Sequence, residues 1–277
     1  MFWQTTRFRI DLTRPQVMGI VNVTPDSFSD GGRSADTAAA IRHCEQLVAE
    51  GADILDIGGE STRPGSMPVS VREELARVLP VLDAALMLGC PISVDTNKPE
   101  VMREALAHGA DILNDVNALQ APEALDVVAA QPDCGICLMH MRGDPLTMQQ
   151  RPRYDDVLTE VGAFLSERLH ACAARGVAVE RIVLDPGIGF GKSVEHNLEL
   201  LRRQRELLAL GRPLLVGWSR KSTLGAITGR DVSQRLAASV AAALAAVHAG
   251  ARIVRVHDVA ATVDALKVWQ AAGLVRG

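Results

Sequence analysis

The chain has 277 residues, of which 48% are hydrophobic and only 3% aromatic, and its net charge is −4 at pH 7. This length fits one large α/β domain, and the acidic balance excludes a general electrostatic attraction to nucleic acid. No apolar run reaches the roughly 20 residues of a membrane span, and the first residues lack the apolar core of a signal peptide. The five cysteines show no framework spacing, which is typical of a reducing compartment. Together these features predict a cytoplasmic protein with no membrane or nucleic-acid partner.

Short apolar runs recur along the chain at intervals that suit alternating strands and helices. Residues 8–12 alternate apolar and polar side chains, which predicts a short strand or ribbon before the main fold. Helical patterns separate the later runs, the clearest over about residues 155–175, where Gly176 predicts the end of the helix. Eight runs are typical of buried strands: Val17–Val21, Ile54–Ile57, Ile92–Val94, Ile112–Leu113, Ile136–Met139, Ile182–Leu184, Leu214–Val216 and Ile253–Val256.

Eight strands alternating with helices predict a single (β/α)8 TIM barrel over residues 1–277, a fold that typically needs about 250 residues. A weak internal repeat supports this interpretation. Gly51, Gly109 and Gly250 each precede an apolar strand in a similar short sequence. We expect each glycine to end a helix in the left-handed conformation.

Polar and charged residues follow the predicted strands, at the end of a barrel where active sites are built. The seventh strand leads into Gly217-Trp218-Ser219-Arg220-Lys221-Ser222, which predicts a turn and the start of a helix. A helix start beside cations suits an anion. The hydrogen-bond acceptors are Asp95, Asn114 and Asp185, which suit a flat heterocycle with several N–H groups. The cationic or titratable residues are Arg63, Lys221, Arg255 and His257, which suit phosphate or carboxylate.

Each candidate also has an ordinary structural interpretation. Asp95 and Asp185 could cap the helices that follow them. Asp56 and Asp115 are better explained as partners of buried backbone groups. Met139 could be plain core packing, and His257 could be a surface residue.

Several familiar motifs are incomplete in this chain. The glycine-rich stretch from Gly187 to Ser193 fails both the Walker A and the dinucleotide patterns. Cys134, Cys137 and His140 resemble half of a zinc site, but no second cysteine pair exists. The Gly-x-Ser-x-Gly pattern of a nucleophile elbow is absent around Ser219.

Eight stretches jointly resemble the dihydropteroate synthases of folate biosynthesis, in the family's order and from end to end. They are MGIVNVTPDSFSDGG (18–32), GGESTRPG (58–65), SVDTNKP (93–99), NDV (114–116), LMHM (138–141), LDPGIGFGK (184–192), VGWSRKS (216–222) and RVHD (255–258). The resemblance implies a transferase that condenses 6-hydroxymethyl-7,8-dihydropterin pyrophosphate with para-aminobenzoate. The products would be 7,8-dihydropteroate and pyrophosphate, and Mg2+ would assist a dissociative loss of the pyrophosphate.

The resemblance also assigns expected roles to residues of this chain. The expected pterin pocket contains Thr62, Asp95, Asn114, Met139, Asp185 and Lys221. Asn22 is expected to hold Mg2+, with Arg63, Arg255 and His257 on the pyrophosphate oxygens. The expected aminobenzoate site, where sulfonamides would compete, contains Phe28, Arg63, Pro64, Phe190, Lys221 and Ser222. Asp95, Asp185, Lys221 and Arg255 are the expected catalytic residues, and a homodimer is the expected assembly.

Two other functions stay open at this level. A pterin-binding methyltransferase barrel would share the acidic pocket but would need a corrinoid partner. The Asn22–Phe28 loop, the Thr62-Arg63-Pro64 loop and the Ser219–Ser222 turn argue against it. A catalytically silent paralogue that only binds pterin or phosphate is the alternative from a different class. A pyrophosphate-release assay separates all three.

Overall fold

The fold is known from a computed structural model, which describes residues 1–24, 33–62, 65–144, 147–149 and 152–274. The strands in these ranges are β1 Phe2–Gln4, β2 Arg9–Asp11, β3 Gln16–Asn22, β4 Ile54–Gly58, β5 Ile92–Asp95, β6 Ile112–Asp115, β7 Gly135–Met139, β8 Ile182–Asp185, β9 Leu214–Val216 and β10 Ala251–Val256. The helices are α1 Arg33–Ala49, α2 Val71–Ala85, α3 Pro99–His108, α4 Ala124–Ala129, α5 Val157–Ala174, α6 Val194–Arg202, α7 Ser222–Thr228, α8 Leu236–His248 and α9 Val259–Ala271.

Strands β3 to β10 form a closed barrel in chain order, with β10 pairing back onto β3. Every pair in the barrel is parallel, and the helices pack around it to make a second layer. Because parallel strands share one direction, their carboxyl ends meet at a single mouth. This confirms the (β/α)8 prediction and explains why polar residues that are far apart in sequence can share a site.

The N-terminal ribbon closes the opposite end of the barrel. β1 and β2 pair antiparallel, with Trp3 opposite Ile10. Trp3 has no exposed surface, and its Nε1 donates to the Arg181 carbonyl oxygen, 2.8 Å away, just before β8. It packs in one cluster with Met18, Ile54 and other interior residues of the barrel strands. The ribbon thus closes the barrel at the amino-terminal ends of its strands. The carboxyl-terminal ends, which form the mouth, are left for a functional site.

The local predictions agree with the observed elements. All eight apolar runs lie in β3 to β10, and the pattern over 155–175 is α5, after which Gly176 has a φ of 76°. Gly51, Gly109 and Gly250 have φ values of 97°, 105° and 100°, which confirms the left-handed turns before β4, β6 and β10. A side chain at these φ values would be strained, so glycine is required there.

Among the described helices, none is both long and apolar enough to cross a membrane. All five cysteines are buried and unpaired.

Candidate active site

The ends of neighbouring barrel strands place the predicted polar residues side by side. Asn22 lies opposite Gly58 in the register of β3 and β4, and Gly58 lies opposite Asp95 of β5. Asp95 in turn lies opposite Asn114 of β6, and Met139 at the end of β7 lies opposite Asp185 of β8. Strand register therefore places Asn22, Asp95 and Asn114 at one level of the mouth. Met139 and Asp185 lie two residues further along their strands, because Asn114 lies opposite Cys137.

Arg255 from β10 reaches across the barrel to two carboxylates. Its Nε donates to Asp56 Oδ2 at 2.6 Å, and its Nη2 donates to Asp95 Oδ2 at 2.8 Å. Asp56 Oδ2 also accepts from Asn114 Nδ2 at 3.1 Å. Asp56 is fully buried, and its Oδ1 has no hydrogen-bond partner among the described residues. The network holds Arg255 and Asn114 in place and leaves a buried acceptor atom beside them.

This geometry corrects the ordinary interpretation of Asp56. Instead of satisfying buried backbone groups, Asp56 accepts hydrogen bonds from the side chains of Arg255 and Asn114. Asp115 does have the expected role, because it accepts from the backbone N–H groups of Asn117 and Leu119. A single charged residue inside the apolar strand ILDIG was the sequence signal that could have identified Asp56 as a partner of another charge.

The two predicted pterin carboxylates are not helix caps. The N-cap of α3 is Lys98, without a side-chain cap, and that of α6 is Ser193. Asp185 Oδ1 instead accepts from Gly187 N at 2.7 Å, at the start of the glycine-rich loop. Asp95 pairs with Arg255, so both carboxylates belong to the mouth of the barrel.

Burial sets the proton affinities at the mouth. It raises the pKa of Asp95 to about 7, against the opposing effect of Arg255 and with help from Asp56. Burial also raises the pKa of Asp185, although the Gly187 hydrogen bond opposes the shift. It lowers the pKa of Lys221 to about 8, a shift that Asp185 reduces. Burial alone would lower the pKa of Arg255, but Asp56 and Asp95 outweigh it and raise that pKa. The site thus combines a permanent cation with groups that titrate near neutrality.

The glycine-rich loop packs against Lys221. The Lys221 Nζ lies 4.0 Å from the centroid of the Phe190 ring, a cation–π distance. A Cβ on Gly189 would lie 3.0 Å from Lys221 Cδ, so the lysine stem runs directly over the loop backbone. Ser222, the next residue, is exposed and begins α7, which confirms the predicted helix start. Phe190, Lys221 and Ser222 therefore form one continuous surface beside Asp185.

His257 and Ser219 are joined at the seventh and eighth strand ends. Ser219 Oγ lies 3.0 Å from His257 Nδ1 and accepts from the His257 backbone N–H at 3.1 Å. His257 is half-buried, so it is not a simple surface residue. His257 follows Arg255 by two positions, so both side chains can offer nitrogen atoms to a ligand at the mouth.

Met139 and Thr62 also lie at the mouth end of their segments. Met139 is 4% exposed yet belongs to neither of the two hydrophobic clusters of the core, which favours a role in lining the mouth. Thr62 is half-buried in the loop after β4. Phe28, Arg63 and Pro64 lie outside the described residues, so their predicted roles stay predictions.

The loop after β4 is anchored by a lysine that sequence reasoning missed. Lys98 Nζ lies 2.5 Å from Glu60 Oε2, and it also pairs with Glu74, which is 1% exposed. Glu60 Oε2 accepts from the backbone N–H of Val69 at 2.8 Å, which fixes both ends of the loop. Glutamates far apart in sequence gave no signal of this contact.

The metal motif suggested by Cys134, Cys137 and His140 is not a metal site. Cys134 Sγ accepts from Arg181, Cys137 lies in the barrel interior, and His140 Nδ1 lies 2.9 Å from Lys192 Nζ. Within the described ranges, no group of three or more potential ligands could hold a metal ion. Lys192 instead donates to the carbonyl oxygens of Gly187 at 2.9 Å and Phe190 at 3.0 Å, so it fastens the glycine-rich loop.

Comparison with known proteins agrees with this site. The family described as pterin binding enzyme matches residues 18–257, which is most of the chain. A barrel with buried acceptors at its mouth and cations at its rim is therefore the site of a pterin-binding enzyme.

The relatives narrow this class further. The dihydropteroate synthase of Neisseria meningitidis serogroup B is 56% identical, over 98% of this chain and 98% of the relative. The Xanthomonas albilineans dihydropteroate synthase, solved with 4-aminobenzoic acid, is 54% identical, covers 96% of this chain and 95% of its own, and has a TM-score of 0.91. The Yersinia pestis dihydropteroate synthase, solved with a sulfonamide drug, is 46% identical, covers 99% of both chains and has a TM-score of 0.93. The chain belongs to the dihydropteroate synthases.

Proposed function

We propose that this protein catalyses the dihydropteroate synthase reaction, in which dihydropterin pyrophosphate and para-aminobenzoate give 7,8-dihydropteroate and pyrophosphate. The observation that carries the proposal is the Arg255 network, because it joins Asp56, Asp95 and Asn114 in one buried pocket. Such a pocket offers acceptors for the N–H groups of a pterin and a fixed cation for its pyrophosphate.

The pterin ring is assigned to the deep part of the mouth. The side chains here are mostly buried, with exposed fractions of 8% for Asp95, 4% for Asn114 and 6% for Asp185. A ligand that hydrogen-bonds to them must therefore lose its own hydration. Lys221 contributes a donor to the ring oxygen or nitrogen, and Met139 and Thr62 supply pocket walls. Asp56 Oδ1 is buried without a hydrogen-bond partner among the described residues, and we assign it to the pterin as a further acceptor.

The pyrophosphate is assigned to the rim. Arg255 and His257, together with Arg63 from the loop after β4, supply cations or hydrogen-bond donors to its oxygens. Asn22 lies half-buried at the end of β3 and offers one amide oxygen. One protein oxygen suits Mg2+ held mainly by phosphate oxygens and water. When bound, the ion would neutralise charge on the leaving pyrophosphate.

The aminobenzoate is assigned to the surface beside Lys221. Phe190 and the Lys221 stem offer a flat apolar face, and the Lys221 ammonium and exposed Ser222 hydroxyl suit a carboxylate. Phe28, Arg63 and Pro64 are expected to cover this site from the two mouth loops. Sulfonamides, which present an aniline and an anionic tail, fit the same description.

The reaction is proposed to be dissociative. The bond between the pterin methylene carbon and the pyrophosphate oxygen breaks first, while Arg255 and His257 stabilise the charge that grows on the leaving group. Asp95 and Asp185, the proposed partners of the ring, would stabilise the pterin cation. The aminobenzoate amine then attacks the methylene carbon to form the C–N bond, and its extra proton passes to the released pyrophosphate or to solvent. No side chain has to act as a nucleophile.

Pyrophosphate release from purified enzyme tests the function, and it should require both substrates and stop when Mg2+ is chelated. Oxygen-18 placed in the bridging position should scramble when an unreactive aminobenzoate analogue is present. Release without an acceptor amine would indicate a hydrolase, and no release would indicate a silent binding protein. Absence of scrambling, with a bond-breaking rate that depends on the amine, would favour direct displacement.

We further propose a homodimer in the cytoplasm. Ile227, Val232 and Leu236 are 54%, 57% and 47% exposed around α7 and the start of α8, and two copies could cover them. Five free buried thiols suit a reducing compartment. Sedimentation equilibrium should give twice the chain mass, and Leu236→Glu should shift the equilibrium toward the monomer.

A further inference from the structure

A buried asparagine joins the glycine-rich loop to the start of α7. Asn197 lies in the first turns of α6 and is 1% exposed. Its Oδ1 accepts from Gly189 N at 2.8 Å, and its Nδ2 donates to Ser193 O at 2.8 Å and to Thr223 Oγ1 at 2.9 Å. A primary amide has one oxygen and two donor hydrogens, so all three are used.

The two segments that Asn197 joins carry the proposed aminobenzoate site. Gly189 immediately precedes Phe190, and Thr223 immediately follows Ser222. Lys221 lies between the two segments, with its stem against Gly189 and its ammonium over Phe190. The hydrogen bonds of Asn197 with Gly189 and Thr223 therefore link the segment that carries the Phe190 ring to the start of α7.

Each segment is also held by contacts that do not involve Asn197. Lys192 donates to the Phe190 carbonyl oxygen at 3.0 Å, and Gln149 Nε2 donates to the Gly189 carbonyl oxygen. On the other side, Arg235 Nη1 donates to the Arg220 carbonyl oxygen at 3.0 Å. Losing the Thr223 contact should therefore leave both segments folded and change how they are placed relative to each other.

The hydrogen bonds of Asn197 with Gly189 and Thr223 form a bridge, and the start of α6 holds Asn197 in place. α6 begins with a capping box, in which Ser193 and His196 each accept from the other's backbone N–H. Asn197 follows this box directly, so its side chain contacts both the glycine-rich loop and the first turn of α7 from a capped helix start. Thr223 is 2% exposed, so water cannot easily replace the hydroxyl as the partner of the amide.

We propose that Asn197 and Thr223 are positioning residues for the second substrate, and that their hydrogen bond sets the spacing between Phe190 and Ser222 which para-aminobenzoate requires. This inference rests on the proposed function. Neither residue needs to touch the substrate, because each acts through the loop or the helix that it holds. Four of the six proposed pterin residues belong to other segments of the mouth, namely Thr62, Asp95, Asn114 and Met139. Binding of the pterin should therefore depend less on the bridge than binding of the aminobenzoate.

The test compares two substitutions at one buried position. Thr223→Val keeps the shape of the side chain but removes the acceptor, whereas Thr223→Ser keeps the hydroxyl. A buried hydrogen bond shifts an equilibrium by about fivefold to tenfold, so Thr223→Val should raise the KM for aminobenzoate by roughly that factor. Thr223→Ser keeps the hydrogen bond, so its KM for aminobenzoate should lie close to that of the parent enzyme. The KM for the pterin substrate should change by less than about twofold in both variants.

A matched control separates positioning from general stability. Thr262 is 2% exposed, and its Oγ1 donates to the Asp258 carbonyl oxygen at 2.8 Å in α9. Thr262→Val makes the same chemical change away from the bridge and should leave the ratio of the two KM values as in the parent enzyme.

Thermal midpoints of all variants should be compared. If Thr223→Val does not fold, Thr223→Ala, which removes the same hydroxyl, must show the same selective rise.

Three results would overturn the inference: equal effects of Thr223→Val and Thr223→Ser, a parallel rise of both KM values, or the same selective rise in Thr262→Val. Failure of the proposed function gives a different result, since the parent enzyme itself would then release no pyrophosphate in response to aminobenzoate.

Discussion

Two groups at the mouth titrate near neutrality, so catalysis should have a narrow pH optimum. Asp95 must be a carboxylate to accept a hydrogen bond from the pterin, and burial raises its pKa to about 7. A raised carboxyl pKa means that the required form is lost as the pH falls through that value. Lys221 must be protonated to act as a cation, and burial lowers its pKa to about 8, so its required form is lost as the pH rises through that value.

The magnitude follows from the two pKa values. About half of Asp95 is ionised at its pKa of about 7 and about one tenth is ionised one pH unit lower, so kcat/KM for the pterin substrate should fall roughly fivefold between about pH 7 and pH 6. Above about pH 8, kcat/KM should fall as Lys221 loses its proton, by roughly fivefold over the first pH unit and roughly tenfold for each unit beyond it. The maximum should lie between about pH 7 and pH 8.

Variants assign each limb to its residue. The pyrophosphate of the substrate also ionises, so an acidic limb alone does not identify Asp95. Asp95→Asn should flatten the acidic limb apart from the contribution of the substrate, at a cost in overall kcat/KM. Lys221→Arg should remove the basic limb from the measurable range, because a guanidinium stays protonated. Initial rates of pyrophosphate release from about pH 5.5 to pH 9.5 provide the measurement. An acidic limb unchanged in Asp95→Asn, or a basic limb unchanged in Lys221→Arg, would refute the reasoning.

Four further predictions concern binding and stability. Asp95→Ala and Asp185→Ala should fold but bind a pterin roughly ten- to a hundredfold more weakly in calorimetric titration, since each loses a hydrogen bond to a charged group; unchanged affinity in both would remove them from the pocket. Sulfonamides should compete with para-aminobenzoate in steady-state kinetics, and a purely non-competitive pattern would displace the second site. Asp56→Asn should lower kcat/KM for the pterin substrate by about tenfold or more, because Arg255 loses a charged partner; normal kinetics would make the contact incidental. Trp3→Ala should cost about 3–5 kcal/mol of stability while kcat stays near normal, because Trp3 fills the far end of the barrel; a selective loss of kcat without a lower thermal midpoint would contradict this.

The sequence determined the elements and the order of the site. Apolar runs of two to five residues specify strands buried on both faces, and glycines with positive φ mark where helices end. The strands β3 to β10 and the turns at Gly51, Gly109 and Gly250 therefore follow from local chemistry. Since all parallel strands of a barrel point the same way, the sequence alone assigns the polar residues that follow them to one mouth. The family resemblance added the reaction and the expected roles.

Only the tertiary structure decided which of these residues contact one another. Asp56 and Arg255 are 199 positions apart, and their contact depends on the register around the closed barrel, which no local pattern encodes. The same holds for Lys192 with His140 and for Asn197 with Thr223. Proton affinities are decided at this level too, because the pKa of Asp95 depends on how much water the packed neighbours exclude and on where Arg255 comes to rest. Strand and turn preferences are short-range and can be read along the chain, whereas desolvation and charge pairing depend on distances through space that exist only after folding.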